Sequence, residues 1–192
     1  GLGLDASRVY LGGFSAGAAF VPNLLVNYPD LYAAGAVHSG LEYDAAESAY
    51  GSSWAMTYGG PDPEDQAADA YDRMQANGVV GTTPTVVVQG TDDYTVEPPN
   101  GEQAALQAAY TCDLAGNDVD VADPDLATGS TNGYDWERRR YRDAQGRVNV
   151  EFWSVEELGH EWAGGGEGEF YADPDAPDAS AAIWDFFSRW SL

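Results

Sequence analysis

The chain contains no lysine. Its eight basic residues are all arginine, and they face 32 aspartates and glutamates, a formal charge of −24 over 192 residues. That balance excludes nucleic acid as a partner, because no basic patch remains to displace the counterions of a phosphate backbone. Cysteine is scarce too. Cys112 stands alone, which rules out an internal disulfide or a cysteine-based metal cluster, and it reads as a small buried apolar residue. No apolar run reaches the length of a membrane span and no charged-then-apolar leader opens the chain, so a protein in water with no membrane partner is expected. The first residue is Gly1 rather than Met, which reads as a processed or shortened chain whose export signal would lie upstream.

Of what is present, 44% is apolar and 12% aromatic, enough for one globular domain over 1–192 and too much for disorder. The carboxylate excess, with arginine in place of lysine, reads as adaptation to high salt, ahead of its alternative, binding to a specific cationic partner. At 1 M the screening length falls to about 3 Å, and a carboxylate surface no longer repels itself. The cluster Asp118, Asp120, Asp123 and Asp125 lacks the glycine and closing glutamate of a calcium loop and reads as solvated surface. No metal or cofactor is expected.

Along the chain, a short apolar strand (Val9, Tyr10, Leu11) leads through a glycine-rich turn into a helix from Ala16 to about Tyr28, which Pro22 should kink. A buried strand is expected at Ala34 to His38. An amphipathic helix then presents Ala67, Tyr71 and Met74 on one face. The run from Thr85 to Val88, ending at Gly90, is β-branched and continuous, as suits a parallel strand covered on both faces. A helix over 101–111 follows, then an acidic, turn-rich surface excursion over 113–137, then two strands about a turn at Ala144 to Gly146. A last helix is capped by Asp178 and lined by Ala179, Ile183, Phe186 and Trp190. Strands alternating with helices predict an α/β fold with a mostly parallel sheet and helices on its faces.

The stretch Gly13-Phe14-Ser15-Ala16-Gly17 fits a G-x-S-x-G nucleophile elbow, a serine on a sharp turn between strand and helix. The pattern alone is weak in a chain with 23 glycines, so partners must decide between a nucleophile and a plain turn. A serine needs a base, and there are two histidines. His160 lies in a glycine-rich loop after a strand, where open α/β sheets bind ligands. His38 also ends a strand and reads as lining a pocket or core. The carboxylate that orients the base is offered by Asp92 and Asp93, in the loop after the strongest strand. Serine, then aspartate, then histidine, each after a successive strand, is the order of an α/β-hydrolase.

The blocks "LDASRVYLGGFSAGAAF", "YPDLYAAGAVHSG", "GTDDYTVEPPNGEQ", "LGHEWAGG" and "PDASAAIWDFF" together resemble the polyhydroxybutyrate depolymerase and feruloyl esterase type of secreted α/β-hydrolase. The resemblance implies a serine esterase, extracellular, acting on polyesters or on short-chain, feruloyl or acetyl esters without a cofactor. The family's acid lies two residues before a threonine, which is Asp93. The base is His160, the nucleophile Ser15, and one oxyanion donor the N–H of Ala16. Phe14, His38 and Trp162 are the expected substrate contacts, and Ala163 replaces the family's usual proline. A complete fold of this type has further strands before the elbow, so the sheet is expected to lack its N-terminal strands. Its first strand should then be covered by a second copy, by a complementing N-terminal chain or by the 113–137 excursion. The competing expectation is a catalytically weak or inactive hydrolase remnant serving as an interaction module or as one half of a split hydrolase.

Overall fold

The structure, a computed structural model, describes residues 3–79, 81 and 84–192. In chain order its elements are β1 (Tyr10–Phe14), α1 (Ala16–Asn27), β2 (Ala34–His38), α2 (Ala49–Tyr58), α3 (Pro63–Ala76), β3 (Thr85–Gly90) and α4 (Pro99–Cys112). They continue with β4 (Asp125–Thr131), β5 (Tyr134–Arg142), β6 (Val148–Val155), β7 (Trp162–Ala163), β8 (Ala172–Asp173) and α5 (Ala179–Phe187). The main sheet has the order β1-β2-β3-β6-β5-β4. Its first four strands run parallel, and β5 and β4 extend it as an antiparallel hairpin. The outcome is the expected α/β architecture.

The middle strands are covered on both faces. Val37, Val87, Val150 and Phe152 turn toward α1 and α4, where they meet Ala18, Val21, Leu25, Ala104 and Ala108. Ala36, Val86, Val88 and Val155 turn the other way onto Ile183, Phe186 and Phe187 of α5. This explains why β2 and β3 are apolar at almost every position rather than alternating. Each large side chain fully withdrawn here contributes about 1.5–3 kcal/mol. On α3 the buried residues are Gln66, Ala67, Ala70 and Met74, while Tyr71 is only half-buried. Trp190 lies just beyond α5 and packs on the same core from its rim.

Three expectations need revision. The turn-rich 113–137 segment carries regular structure: after a wide helical turn at Asp113–Asn117, its later part, mostly exposed, forms β4 and the start of β5. That hairpin lies at the opposite edge of the sheet from β1, so it does not cover β1. Among the described residues β1 pairs with β2 alone. Finally, α2 falls where no regular helix was expected. It is started by Ser48, whose side chain accepts the Gly51 N–H at 3.1 Å, yet only Ala55 on it is buried.

Candidate active site

The parallel strands deliver three loops to one end of the sheet. β1 turns into α1 at Ser15, whose backbone holds φ 55° and ψ −125°, a conformation that costs a non-glycine residue free energy and recurs at functional turns. The turn is tight because residue 13 is glycine: a Cβ there would lie 2.4 Å from the carbonyl carbon of Gly17. The Ser15 N–H donates to the His38 carbonyl at 3.0 Å, which ties the turn to the end of β2.

The second loop follows β3. Gly90 ends that strand against the next loop, since a Cβ on it would meet the Leu158 carbonyl oxygen at 2.1 Å. The Asp92 N–H donates to that same oxygen at 3.1 Å, so the acid-bearing and base-bearing loops are tied together. Asp93 is wholly buried. Its Oδ1 accepts the N–H groups of Thr95 and Val96 at 2.9 and 2.8 Å, and Oδ2 accepts from Gln89 Nε2 at 3.3 Å. Asp92 points out and is exposed.

The third loop follows β6. His160 Nδ1 lies 2.8 Å from Asp93 Oδ2, and its Nε2 lies 2.8 Å from Ser15 Oγ. A carboxylate on Nδ1 requires the proton there, leaving the Nε2 lone pair to accept the serine hydroxyl. Ala16 is the first residue of α1, so its N–H has no acceptor within the helix and, with the helix dipole, favours negative charge beside Ser15. Phe14 packs its ring 4.8 Å from the His160 ring and 6.3 Å from Trp162.

Ser15, Asp93, His160, Ala16, Phe14 and Trp162 are therefore gathered at one place. His38 is adjacent but differs from expectation. It is wholly buried, with Trp162 stacked on it at 4.8 Å, so its ring is withheld from any substrate. Burial lowers its pKa to about 3, overcoming the opposing pull of Asp93. Two neighbours escaped the sequence. Gln89 braces the acid loop through Asp93 Oδ2 and the Val96 carbonyl. Tyr171 brings an exposed ring to 6.2 Å from His160. The first reads as one more residue of a buried strand, and the second lies in a glycine- and acid-rich loop without periodicity.

A parallel sheet with a serine on the turn between a strand and a helix, and an acid and a histidine on later loops, defines the α/β-hydrolase class. The acetyl xylan esterase of Aspergillus awamori has the same fold, with a TM-score of 0.65 at 19% identity over 97% of this chain and 61% of that one. The PHB depolymerase of Penicillium funiculosum matches equally, at a TM-score of 0.65 and 18% identity over 96% of this chain and 52% of that one. The chain belongs to the Esterase PHB depolymerase family, whose sequence profile matches residues 2–117. Among its relatives, poly(3-hydroxyalkanoate) depolymerase C of Paucimonas lemoignei is 30% identical over 82% of this chain and 36% of its own length. Feruloyl esterase B of Thermothelomyces thermophilus is 35% identical over 54% of this chain and 37% of its own length. The chain thus spans little more than a third of the length of these two relatives.

Proposed function

We propose that this chain carries the catalytic centre of a serine esterase, with Ser15 as nucleophile, His160 as general base and acid, and Asp93 as the group that orients the imidazole. The observation that carries the reading is the unbroken line from Ser15 Oγ through the His160 ring to Asp93, with 2.8 Å at each step. Ser15 Oγ attacks the ester carbonyl carbon while Nε2 takes its proton. The carbonyl oxygen becomes an oxyanion facing the Ala16 N–H. The imidazolium then protonates the leaving alcohol, an acyl-serine forms, and water repeats the sequence to release the acid.

The substrates are carboxylic esters. Relatives named as a poly(3-hydroxyalkanoate) depolymerase and a feruloyl esterase support hydroxyalkanoate polyesters or aromatic-acid esters, met outside the cell. Phe14, Trp162 and Tyr171 supply apolar walls for either. A second oxyanion donor would come from a segment laid along the free side of β1. β1 is half-buried or exposed along its whole length where β2 is buried throughout, which supports an occupant there. Without that donor, turnover would be lower by about 10²–10³.

Hydrolysis of 4-nitrophenyl acetate, methyl ferulate and a hydroxybutyrate trimer, each with Ser15→Ala as control, tests the reading. Release of acid that disappears in the variant is expected. Hydrolysis that persists in Ser15→Ala would overturn it.

A further inference from the structure

We propose that His38 is a positioning residue: by accepting the Ala163 N–H it clamps the base-bearing loop to the end of β2 and sets where His160 stands over Ser15. This rests on the serine-hydrolase reading above.

The clamp is built from both sides of residue 38. Its carbonyl takes the Ser15 N–H at 3.0 Å, while its Nε2 lies 3.1 Å from the Ala163 nitrogen. An N–H can only donate, so Nε2 must be the bare nitrogen and the ring must carry its proton on Nδ1. That proton has an acceptor in Ser39 Oγ, 3.2 Å away. Residue 38 therefore joins the nucleophile turn to the loop that holds the base.

The loop has few alternatives. In the small β7–β8 pair, the Trp162 and Gly164 N–H groups donate to Tyr171 and Asp173 carbonyls at 2.7 and 2.8 Å. The Ala163 N–H between them faces the other way, as strand alternation demands. Ala163 and His38 are both at 0% exposure, so water cannot replace the acceptor, and an unpaired amide there is costly. Trp162 stacks on the His38 ring with planes 26° apart. Phe14 touches both histidines, 5.4 Å from His38 and 4.8 Å from His160. Movement of residue 38 is thus felt at the base, three residues from Ala163. Burial keeps the His38 ring neutral down to about pH 3, so the clamp stays closed across the neutral range.

The test combines imidazole nitrogen NMR on the unmodified chain with kinetics on two variants. The spectra should show His38 protonated on Nδ1 and unchanged across the range from about pH 5 to 8 in which an ordinary histidine titrates. His38→Gln offers an amide oxygen to Ala163 and should keep kcat within severalfold. His38→Leu fills the space but accepts nothing, so kcat should fall by about ten- to a hundredfold with KM little changed. Amide exchange at Ala163 should speed up in the leucine variant and not in the glutamine one. A His38 that titrates in that range, a proton on Nε2, or glutamine and leucine variants that behave alike would overturn the proposal. If the leucine variant does not fold, the spectra and the glutamine variant decide. Hydrolysis surviving in Ser15→Ala would instead remove the esterase reading, while the tautomer and exchange data still judge the clamp.

Discussion

Asp93 Oδ2 stands 2.8 Å from His160 Nδ1, and the other oxygen of the same carboxylate is held by two backbone N–H groups, those of Thr95 and Val96. With Gln89 Nε2 also donating to Oδ2, four donors leave the carboxylate one orientation, and the imidazole inherits it. Asp93→Asn keeps the shape but can present an N–H to Nδ1, favouring the wrong tautomer. Steady-state kinetics should show kcat lowered by about 10⁴. Asp92→Asn alters an exposed neighbour and should leave activity within about twofold. Equal losses would move the acid away from Asp93.

The two glycines flanking Ser15 are unequal. Gly13→Ala forces a methyl to within 2.4 Å of the Gly17 backbone and should destabilise the fold by about 3 kcal/mol or more. Gly17 has open space where its Cβ would be and lies in the first turn of α1, so Gly17→Ala should raise stability by up to about 1 kcal/mol. Denaturant melts of both variants measure this. A Gly17→Ala protein that melts early would mean that an element packs against that position.

Glu42 is 2% exposed, and neither of its oxygens has a hydrogen-bond partner among the described residues. Burial first, and the nearby Asp62 charge second, push its carboxyl from 4.5 up to about 8. Between those values the folded chain holds a proton that the unfolded chain has released. Stability is therefore full below pH 4.5 for this group and is lost as pH rises toward 8. Glu42→Gln removes the titration. Its melting temperature should exceed that of the unmodified protein by a margin that grows between about pH 5 and 8. A constant margin would contradict the assignment.

A net charge of −24 repels itself in dilute buffer. The melting temperature should rise steeply from dilute buffer to molar salt, where the screening length is about 3 Å. The same melting temperature in both would remove the high-salt reading of the composition.

How much was legible depended on the range of the interactions that decide each element. β2 is bounded by the sequence at the residues the structure shows, because all five positions are buried and the first four are apolar or glycine. α2 is not legible: with one residue buried in "AYGSSWAMTY", no helical period is written into it. β4, "DLATGST", is a strand because β5 pairs with it, and Gly129 leaves room for the Trp136 ring. The place of β1 at the sheet edge is likewise a property of strand order, to which no local pattern refers. Ser15, Asp93 and His160 could be read because each lies in the turn or loop after a recognisable strand. His38 could not be distinguished from a pocket residue without its burial and the Ala163 N–H.

Mass spectrometry of the folded chain after incubation with a fluorophosphonate ester, which phosphonylates an activated serine and expels fluoride, shows whether Ser15 is an activated nucleophile. One adduct is expected, on Ser15, absent in Ser15→Ala and formed far more slowly in His160→Ala. An adduct on another serine, a folded chain that takes none, or labelling of Ser15 that is indifferent to His160 would contradict it.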